Sequence, residues 1–266
     1  MDLSIVTVSW NVKEHLKESL EAIFASEGGL TFEVLVVDNA STDGTRDMLR
    51  LWTERESRLR VFLNTTNEGF ARANNQAIEQ ARGRYVLLLN PDMRVFPDTL
   101  AAMAQWMDAH PHVGVAGCHL VTERGSLTGR VSAGPGETIP HVRRFPGLWN
   151  QLAIVLKLPH LFPHVLDRYL MRDFDYTKEA RVDSVRGSFF MIRRTALRVG
   201  LLDERFFIWF EEVDFCKRMR SAGWEVWYTP VARCVDHVGR SFALVSGYKK
   251  QKMFLTSMYR YFDKWL

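Results

Sequence analysis

The chain has 266 residues, of which 47% are apolar and 25% charged, the balance of a folded protein with a full core. This excludes a disordered chain, a collagen-like repeat and a small disulfide scaffold. Lys and Arg number 35 against 31 Asp and Glu, and this mild excess suits an anionic partner. Without an aromatic-interleaved basic run or zinc-finger spacing, it does not describe a nucleic-acid binder.

In chain order, residues 3–9 (LSIVTVS) and 32–38 (FEVLVVD) are short, apolar, β-branched runs of the kind buried in parallel sheets. Between them Leu16, Leu20, Ile23 and Phe24 mark one face of a helix, stopped by Gly28-Gly29. Ser41-Thr42-Asp43 supplies capping side chains for a second helix. Residues 59–63, 85–90 and 113–118 read as further strands, with a helix carrying Phe70, Ala73, Ala77 and Ile78 between the first two. This alternation predicts a parallel, doubly wound α/β sheet.

From residue 123 to 181 the pattern breaks, punctuated by Gly134-Pro135-Gly136, Pro140, Pro146, Pro159 and Pro163. An irregular excursion with short helices over the mouth of the site is expected there. Periodicity resumes over residues 182–192, in a helix over 211–222 ended by Gly223, and in a strand at 224–228. The last residues, 245–266, form a basic amphipathic helix. Leu255, Met258, Phe262 and Trp265 share one face, with Lys249, Lys250, Lys252, Arg260 and Lys264 nearby. That face can lie on an anionic membrane or pack onto the domain. With no repeat or clear linker, residues 1–266 read as a single domain.

The three cysteines, Cys118, Cys216 and Cys234, are too far apart for a redox pair or a zinc knuckle and suit a reducing compartment. The first residues lack a basic leader, and no apolar run is long enough to span a bilayer. A cytoplasmic location is therefore expected, with the inner face of the membrane open to it.

Neither GxGxxG after the first strand nor GxxxxGK[ST] is present, so neither glycine-rich phosphate cradle is available. Ligands of open α/β sheets sit at the carboxyl ends of the strands. Polar residues stand there: Ser9 and Asn11, Asp38 and Asn39, and Asn90-Pro91-Asp92.

Five segments in order, SIVTVSWN (4–11), VVDNASTDGT (36–45), NEGFARANNQAI (67–78), LLLNPD (87–92) and GSFFMIRR through FFIWFEEVDFCKR (187–218), resemble the inverting family-2 glycosyltransferases of the GT-A fold. The similarity is greatest to bacterial rhamnosyltransferase-like members. It implies a Rossmann-like, mostly parallel sheet flanked by helices. Residues 1–118 would form a nucleotide-binding half and 119–244 an acceptor half.

The resemblance implies that Asp38 accepts the N3–H of uracil or thymine, although a turn or capping Asp explains it too. Gly69 permits close backbone approach before a helix N-terminus that can face phosphate or ribose, and Asn74 could contact the nucleotide. Asn90-Pro91-Asp92 stands where the family has Asp-x-Asp. Asp92 would bind Mg²⁺ or Mn²⁺ bridging the diphosphate, with Asn90 in place of the first Asp. His237 resembles a second metal ligand, or is a hydrogen-bonded histidine after a strand.

Glu211-Glu212-Val213-Asp214 matches the family's Glu-Asp-x-Asp. Glu212 falls at the catalytic base and Glu211 beside it, while Asp214 is expected to pair with Arg218. Trp209 and Phe210 wall an acceptor pocket or simply pack.

The implied enzyme moves a sugar, rhamnose or similar, from a dTDP- or UDP-sugar to a glycan or lipid-linked saccharide, using Mg²⁺ or Mn²⁺. A non-catalytic nucleotide-sugar-binding module and a sugar-nucleotide-forming nucleotidyltransferase are the rivals. The first would be marked by loss of Asp92 or the acidic triplet, and the second by a glycine-rich loop where Ser9-Trp10-Asn11 stands.

Overall fold

Strands that are apolar on both faces need cover on both, and the first half of the chain supplies it by alternating strands with helices. The computed structural model describes residues 1–123, 136–237 and 246–266. Strands β1 (Leu3–Ser9), β2 (Phe32–Asn39), β3 (Leu59–Asn64) and β4 (Tyr85–Leu89) lie parallel in the order β3-β2-β1-β4. They are joined by α1 (Lys13–Phe24), α2 (Thr45–Arg55) and α3 (Phe70–Ile78). Leu16, Leu20 and Ile23 form the buried stripe of α1, as their spacing predicts.

Each strand divides its side chains between two cores. Ile5, Val34, Val36 and Leu87 join the core on one face, and Val6, Leu35, Val37 and Leu88 the core on the other.

The chain continues through β5 (Met93–Val95), α4 (Thr99–Ala109), β6 (Val113–Val121), α5 (Leu148–Val155), α6 (Asp167–Leu170) and β7 (Ala180–Arg181). It ends in β8 (Phe189–Arg193), α7 (Glu211–Ser221), β9 (Glu225–Asp236) and α8 (Gly247–Trp265). Here the sheet departs from the parallel winding that the strand–helix alternation predicts. β8 enters antiparallel between β4 and β6, while β9 pairs parallel with β6 and antiparallel with β5. A central slot requires a strand buried on both faces, and Phe189, Phe190, Met191 and Ile192 meet that demand with at most 1% exposure each.

The excursion holds the short helices α5 and α6, with a 3₁₀ turn at Leu158–His160. Gly134 and Pro135 lie outside the described residues. Among the described residues no helix is long and apolar enough to cross a membrane. The three cysteines are free and buried.

α8 settles onto α7 rather than standing clear. Tyr261, Phe254, Met258, Phe262 and Trp265 pack with Phe206 and Phe210. Buried Asp214 accepts Trp265 Nε1–H at 2.9 Å and pairs with Lys264 at 2.8 Å and Arg218 at 2.9 Å. Of the expected apolar face, Met258, Phe262 and Trp265 are therefore packed, while Leu255 lies outside that cluster.

Candidate active site

The carboxyl ends of the strands open into a cavity of about 630 Å³ that runs from the β1–β2 end to the start of α8. At the first end it is lined by Val8, Trp10, Asn39, Asn67, Gly69 and Phe70. Strand alternation decides which residues these are. Val8 and Asn39 continue the faces of Val6 and Val37, so Ser9 and Asp38 point the other way.

Ser9 and Asp38 are fully enclosed and do not line the cavity. Asp38 accepts the Ser9 hydroxyl at 3.3 Å and the Ser41 N–H at 3.0 Å, and pairs with Arg46 at 2.8 Å. These are the bonds of a turn aspartate. Asn11 likewise ties the two loops together, accepting the Thr42 N–H at 2.7 Å.

Of the expected residues at this end, Gly69 reaches the cavity and so does Asn39. Its amide donates to the Gly69 carbonyl at 3.2 Å and to Asn67 at 3.3 Å. Gly69 has φ +84°, and a Cβ there would lie 2.6 Å from the Phe207 carbonyl oxygen. That oxygen already accepts the Phe70 N–H at 2.7 Å, so the first donor of α3 is used internally. Asn74 is buried and donates to the Phe70 carbonyl at 2.8 Å, away from the lining.

Asn90, Asp92, Arg186, Ser188 and Asp236 line the middle. Arg186 pairs with Asp236 at 3.2 Å, and Ser188 donates to the same carboxylate at 3.3 Å. Burial raises the Asp236 pKa, opposed by Arg186, and the charge of Asp92 adds to the rise. Asp236 is thus a site residue that the sequence reading passed over in favour of its neighbour.

His237 does not line the cavity. Its backbone N–H donates to the Asp92 carbonyl at 3.3 Å, and its Nδ1 lies 3.4 Å from Glu123. Its buried Nε2 has no hydrogen-bond partner among the described residues. An imidazole with a carboxylate near one nitrogen leaves the other nitrogen available to a cation. Among the described residues no group of three or more His, Cys, Asp or Glu could hold a metal by itself. An aspartate and an imidazole fit a divalent cation whose shell is completed by phosphate and water.

At the far end stand Phe207, Trp209, Glu211, Glu212, Lys249 and Met253. Trp209 and Phe210 both take left-handed backbone angles, φ 63° and 71°, immediately before α7. Such strain in bulky residues is held by surrounding packing and concentrates at functional sites. Phe210 is buried against Phe254 and Tyr261, so of the expected aromatic pair Trp209 is the one at the cavity wall.

Burial pushes Glu211 well above the usual carboxylate range, and the charge of Glu212 adds to it. Glu212 is also raised by burial, with Arg186 opposing. Each glutamate keeps one buried oxygen without a hydrogen-bond partner among the described residues. A carboxylate with a raised pKa is suited to take a proton near neutral pH. Arg186 and Lys249 supply cationic charge to the cavity, and neither stands out in sequence because Arg and Lys are common on surfaces.

The glycosyl transferase family 2 profile matches residues 4–199, and the chain belongs to that family of sugar-transferring enzymes, with the GT-A architecture. Over 252 residues it is 26% identical to the N-acetylglucosaminyl-diphospho-decaprenol L-rhamnosyltransferase of Mycobacterium tuberculosis H37Rv, covering 90% of this chain and 77% of the relative. Over 105 residues it is 32% identical to TuaG of Bacillus subtilis 168, named for teichuronic acid biosynthesis; that match covers 40% of this chain and 41% of TuaG. Among solved structures, the mannosyltransferase PcManGT of Pyrobaculum calidifontis, in complex with GDP-Man and Mn²⁺, superposes with a TM-score of 0.64 at 21% identity. The overlap is 98% of this chain and 64% of that one.

Proposed function

We propose that the protein is a metal-dependent, inverting glycosyltransferase that moves rhamnose or a similar sugar from a dTDP- or UDP-sugar to a saccharide acceptor, a lipid-linked one in particular. The observation that carries this reading is one cavity in which Arg186 joins two acid pairs. It contacts Asp236 beside Asp92, and its charge bears on Glu212 beside Glu211. The relative named for a diphospho-decaprenol acceptor supports the lipid-linked choice.

In this scheme the nucleoside lies along Trp10, Asn39 and Gly69, with Asp38, Ser9 and Asn11 bracing the two loops from behind. Asn90 and Asp92 meet the diphosphate. Asp92 and the His237 imidazole would hold Mg²⁺ or Mn²⁺, which would stabilise the charge developing on the leaving diphosphate. Glu212 accepts the proton of the acceptor hydroxyl as that oxygen bonds to the anomeric carbon and the bond to the diphosphate oxygen breaks. Glu211 orients the acceptor, and Trp209 walls its pocket.

Transfer from dTDP-rhamnose and UDP-sugars, measured with Mn²⁺ and with EDTA, tests the scheme. Asp92→Ala should abolish metal-stimulated turnover while the melting temperature holds. Full activity in EDTA would refute it.

A further inference from the structure

The excursion carries a surface that the reaction does not use. Six large apolar side chains between residues 148 and 165 are exposed: Leu148, Trp149, Leu156, Leu161, Phe162 and Val165. Trp149 is 82% and Leu161 75% exposed. Helix α5 is inside-out, with Gln151 and Ala153 as its buried residues while Leu148 and Trp149 face outward. In water this arrangement forgoes apolar burial, and so many exposed large apolar side chains within one short stretch of chain mark an interaction surface.

The charge pattern identifies what covers it. No Asp or Glu occurs between Glu137 and Asp167, while exposed Arg144, Lys157 and Arg168 flank the apolar residues. A symmetric contact between two copies would set this cationic rim against itself. An anionic bilayer complements both parts, the rim at the headgroups and the aromatic and Leu side chains at the acyl boundary.

We propose that residues 148–165 dock the enzyme on an anionic lipid surface, a role distinct from that of α8, whose apolar face is packed. The buried side of α5 faces toward the acid pair through Tyr169. Gln151 hydrogen-bonds Tyr169, and the charge of Glu212 bears on the Tyr169 hydroxyl. A lipid-borne acceptor would reach Glu212 from this side. That consequence rests on the acceptor reading above, whereas docking itself does not.

Co-sedimentation with vesicles of phosphatidylglycerol and phosphatidylcholine, at about 0.1 M salt and below, tests the docking. The protein should bind the mixed vesicles, and bind pure phosphatidylcholine and high-salt samples more weakly. A Trp149→Ser, Leu161→Ser, Phe162→Ser variant should lose at least roughly tenfold in partitioning. Because the three side chains are exposed, its melting temperature and calorimetric UDP affinity should be unchanged. The proposal is overturned by absence of binding to the anionic vesicles at low salt, or by unchanged binding of the variant. It is also overturned if the variant converts a solution dimer into a monomer. Absence of transfer to lipid-linked acceptors by the unmodified enzyme, with its vesicle binding intact, would instead count against the acceptor reading.

Discussion

Adjacent residues on a helix point about 100° apart, so Glu211 and Glu212 cannot present their carboxylates to an acceptor equally. Glu211 is 4% exposed, and Glu212 is the more accessible of the two. Glu212→Gln keeps size and most hydrogen bonding but cannot take a proton, so turnover should fall by roughly 10²–10⁴-fold with donor affinity nearly unchanged. Glu211→Gln should cost less. An active Glu212→Gln beside a dead Glu211→Gln would move the base by one residue.

The pH profile follows from the same pair. A general base works ionised, and burial raises Glu212, so transfer should climb with pH through a range above that of ordinary carboxylates. Arg186 opposes that rise by favouring the ionised form. Arg186→Met should therefore shift the acid limb of kcat to higher pH, with activity partly recovered under alkaline conditions. An unmoved acid limb would show that Glu212 does not govern the rate.

At the scale of elements, α8 is clamped to α7 through one carboxylate. Asp214 is wholly buried and serves Arg218, Lys264 and the Trp265 indole together. Asp214→Ala strips the largely buried Arg218 of its carboxylate, while Lys264 keeps Asp203 at 2.8 Å, and should cost about 3 kcal/mol, read from the denaturant midpoint. Since Ser246, Lys249 and Met253 line the cavity, loosening α8 should also weaken acceptor use before it affects nucleotide binding.

The Asp214–Arg218 pair was legible from i,i+4 spacing, whereas the Lys264 and Trp265 contacts join residues far apart in the chain and were not. The strand ends show the same limit in another form. Ser9, Asp38 and His237 carry the conspicuous chemistry, yet the lining side chains are Trp10, Asn39 and Asp236. In a strand buried on both faces, hydrophobic periodicity carries no parity signal, so sequence cannot say which neighbour turns toward the cleft.

For the molecule as a whole, the cavity spans both halves of the chain, and ligand and metal should bind together. With Mn²⁺ present, calorimetry should show UDP or dTDP binding, and weaker binding of each when the metal is withheld. Nucleotide affinity unchanged by removal of the metal would overturn the joint site.

Legible from the residues alone were the family, the strand–helix alternation through β4, the absence of a glycine-rich phosphate loop and the acidic start of α7. These are local, written in periodicity and contiguous motifs. The insertion of β8 between β4 and β6, the arrival of Arg186 and Asp236 beside Asp92, and the turning of Asp38 into a loop brace were decided by the tertiary structure. So was the choice of surface left apolar: α8 has the better amphipathic pattern, but it finds Phe206 and Phe210 to cover it, while Trp149 and Leu161 find nothing among the described residues. Burial depends on which distant partners a side chain meets, and periodicity records only that a face is apolar.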